Sequence, residues 1–415
     1  MVAALVAILG VAGVSAARLN LYNAEATAKA GDAKHLALSA VALARQRIAD
    51  AARVESLGGT PWRQRFTSGA WRPTQSLDNG TINWRLVDED GDLADDPTDP
   101  MTLEVAAQIG INAHRLAVTL TPTEGDDPIT SLLPGVAVTG DVTLYDRIPA
   151  PANFTLATNS SVNNYGNEVH AHMEATGSIT GTNYHGITAE GVPPLDFPNP
   201  DELFAFYATL GTSIDRTRLP VRSGRRELAD FLLSPNSNPY DLATDPNGIY
   251  IIDLENQDPI AIENLRIVGT LILLNVPAGS HIGGRINMEP AVSNLPTLMV
   301  QGDFAIRMSS SNSLYEGLLT QYNPPGTPYR GWSDIDFLDS FPNAIKGLIY
   351  VSGNLDINVD DSYTEGKIIV GGDLITYKRL HHIDLPLWEE NPPPGFRRMT
   401  GVPRIVPGTF RRLID

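Results

Sequence analysis

A five-residue pattern recurs along this chain: Val138-Thr-Gly140-Asp-Val142, Val300-Gln-Gly302-Asp-Phe304, Val351-Ser-Gly353-Asn-Leu355 and Val370-Gly-Gly372-Asp-Leu374. Ala175-Thr-Gly177-Ser-Ile179 and Ile267-Val-Gly269-Thr-Leu271 are close relatives. Each reads apolar, any, Gly, small polar, apolar. Glycine permits a tight bend where one short strand meets the next, and the flanking apolar residues point inward by period-two alternation. Gly353 and Gly372 are 19 residues apart, near one coil of a parallel β-helix. Larger gaps, such as 269 to 302, hold a coil plus an excursion. In GLIYVSGNLDINV and GKIIVGGDLITYK the strands are short, β-branched and bounded by Gly, as solenoid faces should be. An antiparallel sandwich is the competing fold.

The N-terminus poses a separate constraint. Met1 to Ala17 carries no charge, the first being Arg18, and is apolar all round. Seventeen helical residues span roughly 25 Å, the lower limit for crossing a bilayer core. A cleavable signal peptide would begin with a basic region, and none precedes Val2; a buried soluble helix would show a polar stripe. From Arg18 to Val54 the sequence is proline-free and Ala-rich, so the helix is expected to continue. Leu36, Val41, Leu43 and Ile48 supply its apolar face, and Arg45, Arg47 and Asp50 a wet one.

This greasy-then-amphipathic helix resembles the N-terminal helix of type IV pilin-like proteins, particularly PilX-type minor pilins, over about the first 55 residues. Precursors of that family carry a short basic leader ending in Gly, whereas this chain opens at Met1. Major pilins also carry a Glu five residues into the mature chain, where this sequence has Leu5. The resemblance therefore implies an initiating or capping subunit rather than a shaft subunit. It also implies other pilin-like subunits as partners and an inner-membrane anchor before assembly. WRLVDEDGDL looks like the Trp-to-acidic turn of the PilX and pseudopilin K group, and the glycine-bounded strands resemble bactofilin-like solenoids.

Ile82, Trp84 and Leu86 alternate with polar neighbours, as do Leu116, Val118 and Leu120, which predicts two half-buried strands. Between them Asp88 to Asp99 holds seven acids and no base. Asp88, Asp90 and Asp92 alternate like hard-oxygen ligands, which makes calcium the one candidate cofactor. Gly91 and Asp99 nevertheless depart from the EF-hand pattern, and a solvated acidic loop is the competing reading. Glu168, His170, His172 and Glu174 occupy alternate positions, with Val169, Ala171 and Met173 between them. An extended segment would put both imidazoles on one face, where a metal is conceivable given a third ligand from elsewhere. Ordinary solvent-facing polar residues explain the same pattern. Asp201 to Leu210 reads as a short helix, and Leu233 to Asp245 and Asn323 to Asp339 as surface loops.

Composition narrows function mainly by exclusion. Forty-eight acidic residues against 30 basic ones give a formal charge of -18, which repels nucleic acid. Without cysteine there is no disulfide, thiolate metal site or cysteine nucleophile. No Gly-x-Ser-x-Gly elbow or phosphate loop appears in a supporting context, and Asp303, Asp356 and Asp373 fit turn chemistry better than paired catalytic carboxylates. The expected fold is α+β, mainly β. It comprises a long helix over 1–55, a small antiparallel β region with the acidic loop over 56–150, a right-handed parallel β-helix over 151–380 and a Pro/Arg-rich tail over 381–415. The expected function is a structural or adhesive minor pilin-like subunit, not an enzyme, that reaches an extracellular filament and meets surface polysaccharide or protein. A surface-anchored β-helix carbohydrate-active enzyme and a membrane-anchored polymerising scaffold are the alternatives.

Overall fold

The computed structural model describes residues 27–51, 62–96, 99–122, 128–240, 243–308, 313–317, 320–358, 363–398 and 403–413. The apolar segment Met1 to Ala17 lies outside them. Among the described residues, no helix is long and apolar enough to cross a membrane. The chain divides into two compact units, Met1–Gly125 with Arg398–Asp415, and Asp126–Arg397.

In the first unit, helix α1 (27–51) buries Ala33, Leu36, Ala37, Ala40, Val41, Ala44 and Ile48, a stripe at helical spacing. Leu43 is half-buried against the same core, while Arg47 and Asp50 stay exposed. The stripe packs on an antiparallel sheet of β1 (Gln75–Leu77), β2 (Gly80–Val87), β3 (Met101–Ile109) and β4 (Asn112–Thr121). Ile82, Trp84 and Leu86 of β2 and Leu116, Val118 and Leu120 of β4 are buried, as their alternation predicts. The sequence reading missed the strand between them. The acidic segment joins β2 to β3, and β3 inserts Met101, Leu103, Val105 and Ala107 into the core, with Leu103 opposite both Leu86 and Val118. The end of the chain completes this sheet, because Arg404–Ile405 and Arg411–Leu413 both pair antiparallel with β4.

The second unit is built on a 22-stranded, largely parallel sheet. One face stacks Ile249–Asp253, Thr270–Leu274, Leu298–Val300, Ala344–Val351, Tyr363–Val370, Val136–Val138, Thr155–Thr158, His172–Ala175 and Thr188–Glu190 in that spatial order. Inward side chains such as Val138, Leu144, Leu156, Leu273, Ile306 and Leu374 form one continuous core. The recurring glycine pattern marks the bend between adjacent faces, and the Gly372 amide donates to the Gly353 carbonyl at 3.0 Å, so these two turns belong to neighbouring coils.

The expectation of an α+β chain bearing a right-handed parallel β-helix is corrected by this arrangement. The fold is mostly β, with 41% of residues in strands, its described N-terminal helix is 25 residues long, and the parallel strands make a nearly closed, solenoid-like sheet. Rows are also out of chain order. The chain enters mid-stack at Val136–Val138 against Tyr363–Val370 and winds outward to Thr188–Glu190. It resumes at the opposite end with Thr212–Ser213 beside Ile249–Asp253. The physical reason is in the sequence that follows Glu190. Pro193, Pro194, Pro198 and Pro200 lack the amide that a further ladder row needs. Helix α2 (Pro200–Tyr207) follows them, capped by the Asn199 side chain. Its Leu203, Phe204 and Tyr207 pack with Ile251, Ile272, Met299, Tyr350, Trp388 and Phe396 in a second apolar layer.

Candidate functional site

The acidic loop is held from within. Oδ1 of Asp88 accepts from the Glu89 amide, Oδ1 of Asp90 from the Asp92 amide at 3.0 Å, and Oδ1 of Asp92 from the Ala94 amide at 3.0 Å. Asp90 and Asp92 thus close turns within the loop. Hydrogen bonds from the Asp92 amide and from Asp95 hold the Asp90 carboxyl below the usual range, while burial raises that of Asp95. Arg63, buried in a 3-10 turn at Trp62–Arg65, donates to the carbonyls of Leu93, Asp96 and Asp99. The three aspartates singled out by spacing do not converge as a set. Among the described residues of this loop, the carboxylate oxygens that lie within 4.8 Å of one another are those of Asp88, Asp95 and Asp99.

In the second unit, Val169, Ala171 and Met173 are fully buried, and Glu168, His170, His172 and Glu174 face outward. His170 and His172 have different partners. His172 accepts the Ile187 amide at Nδ1, 3.0 Å away, which ties it to the next coil. His170 instead stacks on His185, with ring centroids 4.5 Å apart and planes 9° apart, and its Nε2 lies 2.8 Å from Glu168 Oε1. That hydrogen bond, more than the nearby charges of His170, His185 and Arg147, holds the Glu168 carboxyl below the usual range. His185 carried no signal in sequence, because its nearness to His170 depends on coil register. Two imidazoles and a carboxylate on one face are a donor set that ions of the zinc class accept.

The small polar residue of the repeated pattern has a structural use. Asp303 Oδ1 accepts from the Asn354 amide, Asn354 Oδ1 from the Asp373 amide and Asp373 Oδ1 from the Asp141 amide, each at 2.8 Å; Asp141 Oδ1 accepts from the Ser161 amide at 3.2 Å. One side chain per coil therefore satisfies the next coil's turn. Asp303 and Asp373 are rungs of this ladder, whereas Asp356 sits within the strand Leu355–Ile357, where burial raises its carboxyl. A parallel column of exposed tyrosines runs Tyr377, Tyr145, Tyr165, with stacked centroids 5.6 and 4.9 Å apart.

No protein-family model matches this chain, and no curated protein sequence does. Among solved structures it is weakly similar to the competence-associated pilin ComZ from Thermus thermophilus. The identity is 12% and the TM-score 0.31, over 84% of this chain and 87% of that one.

Proposed function

We propose that the protein is a structural or adhesive minor subunit of a type IV pilus or related filament, of the PilX-like kind. It is anchored and assembled through its N-terminal segment and presents the solenoid-like unit on the cell surface. The observation that carries this reading is in the first unit: α1 lays an Ala-rich apolar stripe on an antiparallel sheet, and the sequence N-terminal to it contains an uncharged apolar segment, Met1 to Ala17. Such a segment is suited to sit in the inner membrane before assembly and to pack against other pilin helices by apolar burial afterwards. The second unit supports a presenting rather than a catalytic role, since Asp303, Asp373 and Asp141 are engaged with backbone amides of neighbouring coils.

Cysteine-free sequence makes the test direct. A single cysteine introduced in α1 at exposed Arg47 should cross-link to neighbouring subunits in sheared, washed filaments. Deleting residues 1–17 should leave a folded protein that is absent from those filaments. Recovery of the full chain entirely in the aqueous fraction, in cells whose filaments are intact and lack it, would sink the reading. Depolymerisation of a surface polysaccharide by the purified chain would favour the enzymatic alternative.

A further inference from the structure

The stacked histidines are placed by the sheet rather than by chance contact of surface side chains. Val169 bridges Ile148 on one side and Tyr184 on the other in parallel register, and the His185 amide donates to the Val169 carbonyl at 2.8 Å. The residues after Val169 and Tyr184, His170 and His185, therefore occupy equivalent positions on adjacent coils. The strand spacing of about 4.8 Å then sets their rings one above the other. Glu168 precedes His170 by two, so period-two alternation turns its carboxylate to the same side. Its Oε1 lies 2.8 Å from Nε2 of His170 and 3.9 Å from Nε2 of His185, and one ligand atom from each of the three residues falls within 4.8 Å of the other two.

We propose that Glu168, His170 and His185 form a surface site for a divalent transition ion of the zinc class, with its remaining coordination positions open to water or to an external ligand. An ion with bonds of about 2.0 to 2.2 Å in tetrahedral geometry holds its ligand atoms roughly 3.3 to 3.6 Å apart. The two carboxylate-to-imidazole distances lie on either side of that range, so small side-chain rotations bring all three atoms to the ion. Two imidazoles select against calcium and magnesium, which take oxygen ligands. Coordination needs the Nε2 lone pair of each ring. The proton that His170 shares with Glu168 must move to Nδ1 or leave to solvent when the ion enters. Arg147, close enough to act on the Glu168 carboxylate, opposes a dication and limits affinity. His172 is outside the set, because its Nδ1 already accepts the Ile187 amide.

The site has a structural consequence. His185 belongs to the outermost described coil of its end, whose strands Ile179–Thr180 and Thr188–Glu190 have only two and three residues and pair with the preceding coil alone. An ion bridging His170 to His185 staples that coil to its neighbour and protects it from local opening. This inference does not depend on the filament role.

Calorimetric titration of the full-length chain with zinc, in excess calcium to occupy simple carboxylate clusters, should give one calcium-resistant ion per chain. His170→Ala, His185→Ala and Glu168→Gln should each abolish or severely weaken it, and His35→Ala, an exposed histidine of α1, should leave it unchanged. Hydrogen exchange of residues 179–190 should slow on adding zinc in the unaltered chain and in His35→Ala, but not in the His170, His185 and Glu168 variants. Cobalt(II) titration of the unaltered chain keeps the test independent of how the variants fold, because imidazole-bound cobalt has strong visible bands that zinc should displace. Zinc binding that persists unchanged in a folded His170→Ala, His185→Ala double variant, or a cobalt spectrum that stays that of the hydrated ion, would overturn the proposal.

Discussion

At Gly140 a Cβ would land on the Asp373 carboxylate of the neighbouring coil, and at Gly372 on the Asn354 side-chain oxygen. Glycine recurs in the pattern because the acceptor of one coil fills the space beside the turn of the next, which a search for turn residues alone does not reveal. The repeat itself was legible in the sequence; its cause lies in contacts between residues as distant as 141 and 373. Gly140→Ala should cost about 1–3 kcal/mol by overpacking. Adding Asp373→Ala should recover part of that loss, so the double variant costs less than the sum of the singles in urea unfolding. Equal additivity would show that the carboxylate is not what excludes the side chain. A second residue-scale effect concerns His382, fully enclosed with Nδ1 2.9 Å from Thr364 Oγ1 and edge-on to Phe154. Burial, with the nearby Lys367 ammonium, pushes it down from 6.5 to about 3. The folded state therefore binds no proton there in a range where the unfolded state does. Its contribution to stability is intact above pH 6.5 and is lost as the pH falls from 6.5 toward 3, at up to about 1.4 kcal/mol per pH unit. His382→Gln should flatten stability against pH across that window, as read by urea midpoints, and an unchanged slope would assign the acid sensitivity elsewhere.

Among the elements, α1 shows what periodicity can and cannot deliver. The positions of Leu36, Val41 and Ile48 were readable as an apolar face, and all three are buried. The four buried alanines beside them carry no such signal on their own, yet their small side chains let the helix approach the sheet closely. β3 is obscured in sequence, because Met101, Leu103, Val105 and Ala107 follow directly on a segment dominated by aspartates whose charge points to ligands rather than to a strand. The same charge is met by Arg63, an arginine distant in sequence that donates to three loop carbonyls. Nothing local connects it to the loop. Ile48, fully buried against the sheet, provides the element-scale test. Ile48→Ala should destabilise the first unit by about 2–5 kcal/mol through the lost burial and the cavity left behind. Arg47→Ala, one residue away on the exposed side, should stay within about 0.5 kcal/mol. Hydrogen exchange of β2 to β4 amides would separate the two, and comparable protection in both variants would mean that α1 is not part of that cooperative core.

For the molecule as a whole, the out-of-order stacking follows from where the second unit begins and ends. Pro128 and Arg397 form an antiparallel bridge, and the Ile129 amide donates to the Phe396 carbonyl at 3.0 Å, so the unit's entry and exit lie side by side. A solenoid laid down in one direction would leave its two ends a full stack apart. Growing outward from the middle, then returning from the far end, lets the unit close on itself with its first and last residues side by side. Glycine spacing reports that coils exist; it carries no information on their spatial order, because each turn looks alike from within its own residues. The adjacent ends yield the last prediction. A chain of residues 126–397 should fold alone, with the core that runs through Val138, Leu273 and Ile306 intact. The first unit, with 125 and 398 joined by a short flexible linker, should keep its sheet, since the closure it must span is small. Each piece should unfold cooperatively, and the strand Tyr363–Val370 should be among the slowest to exchange in 126–397 because it is paired on both sides, with Ala344–Val351 and with Val136–Val138. If 126–397 is protease-sensitive throughout, or if exchange at 363–370 is as fast as at the outermost strand Thr188–Glu190, the middle-out closure of the stack is wrong.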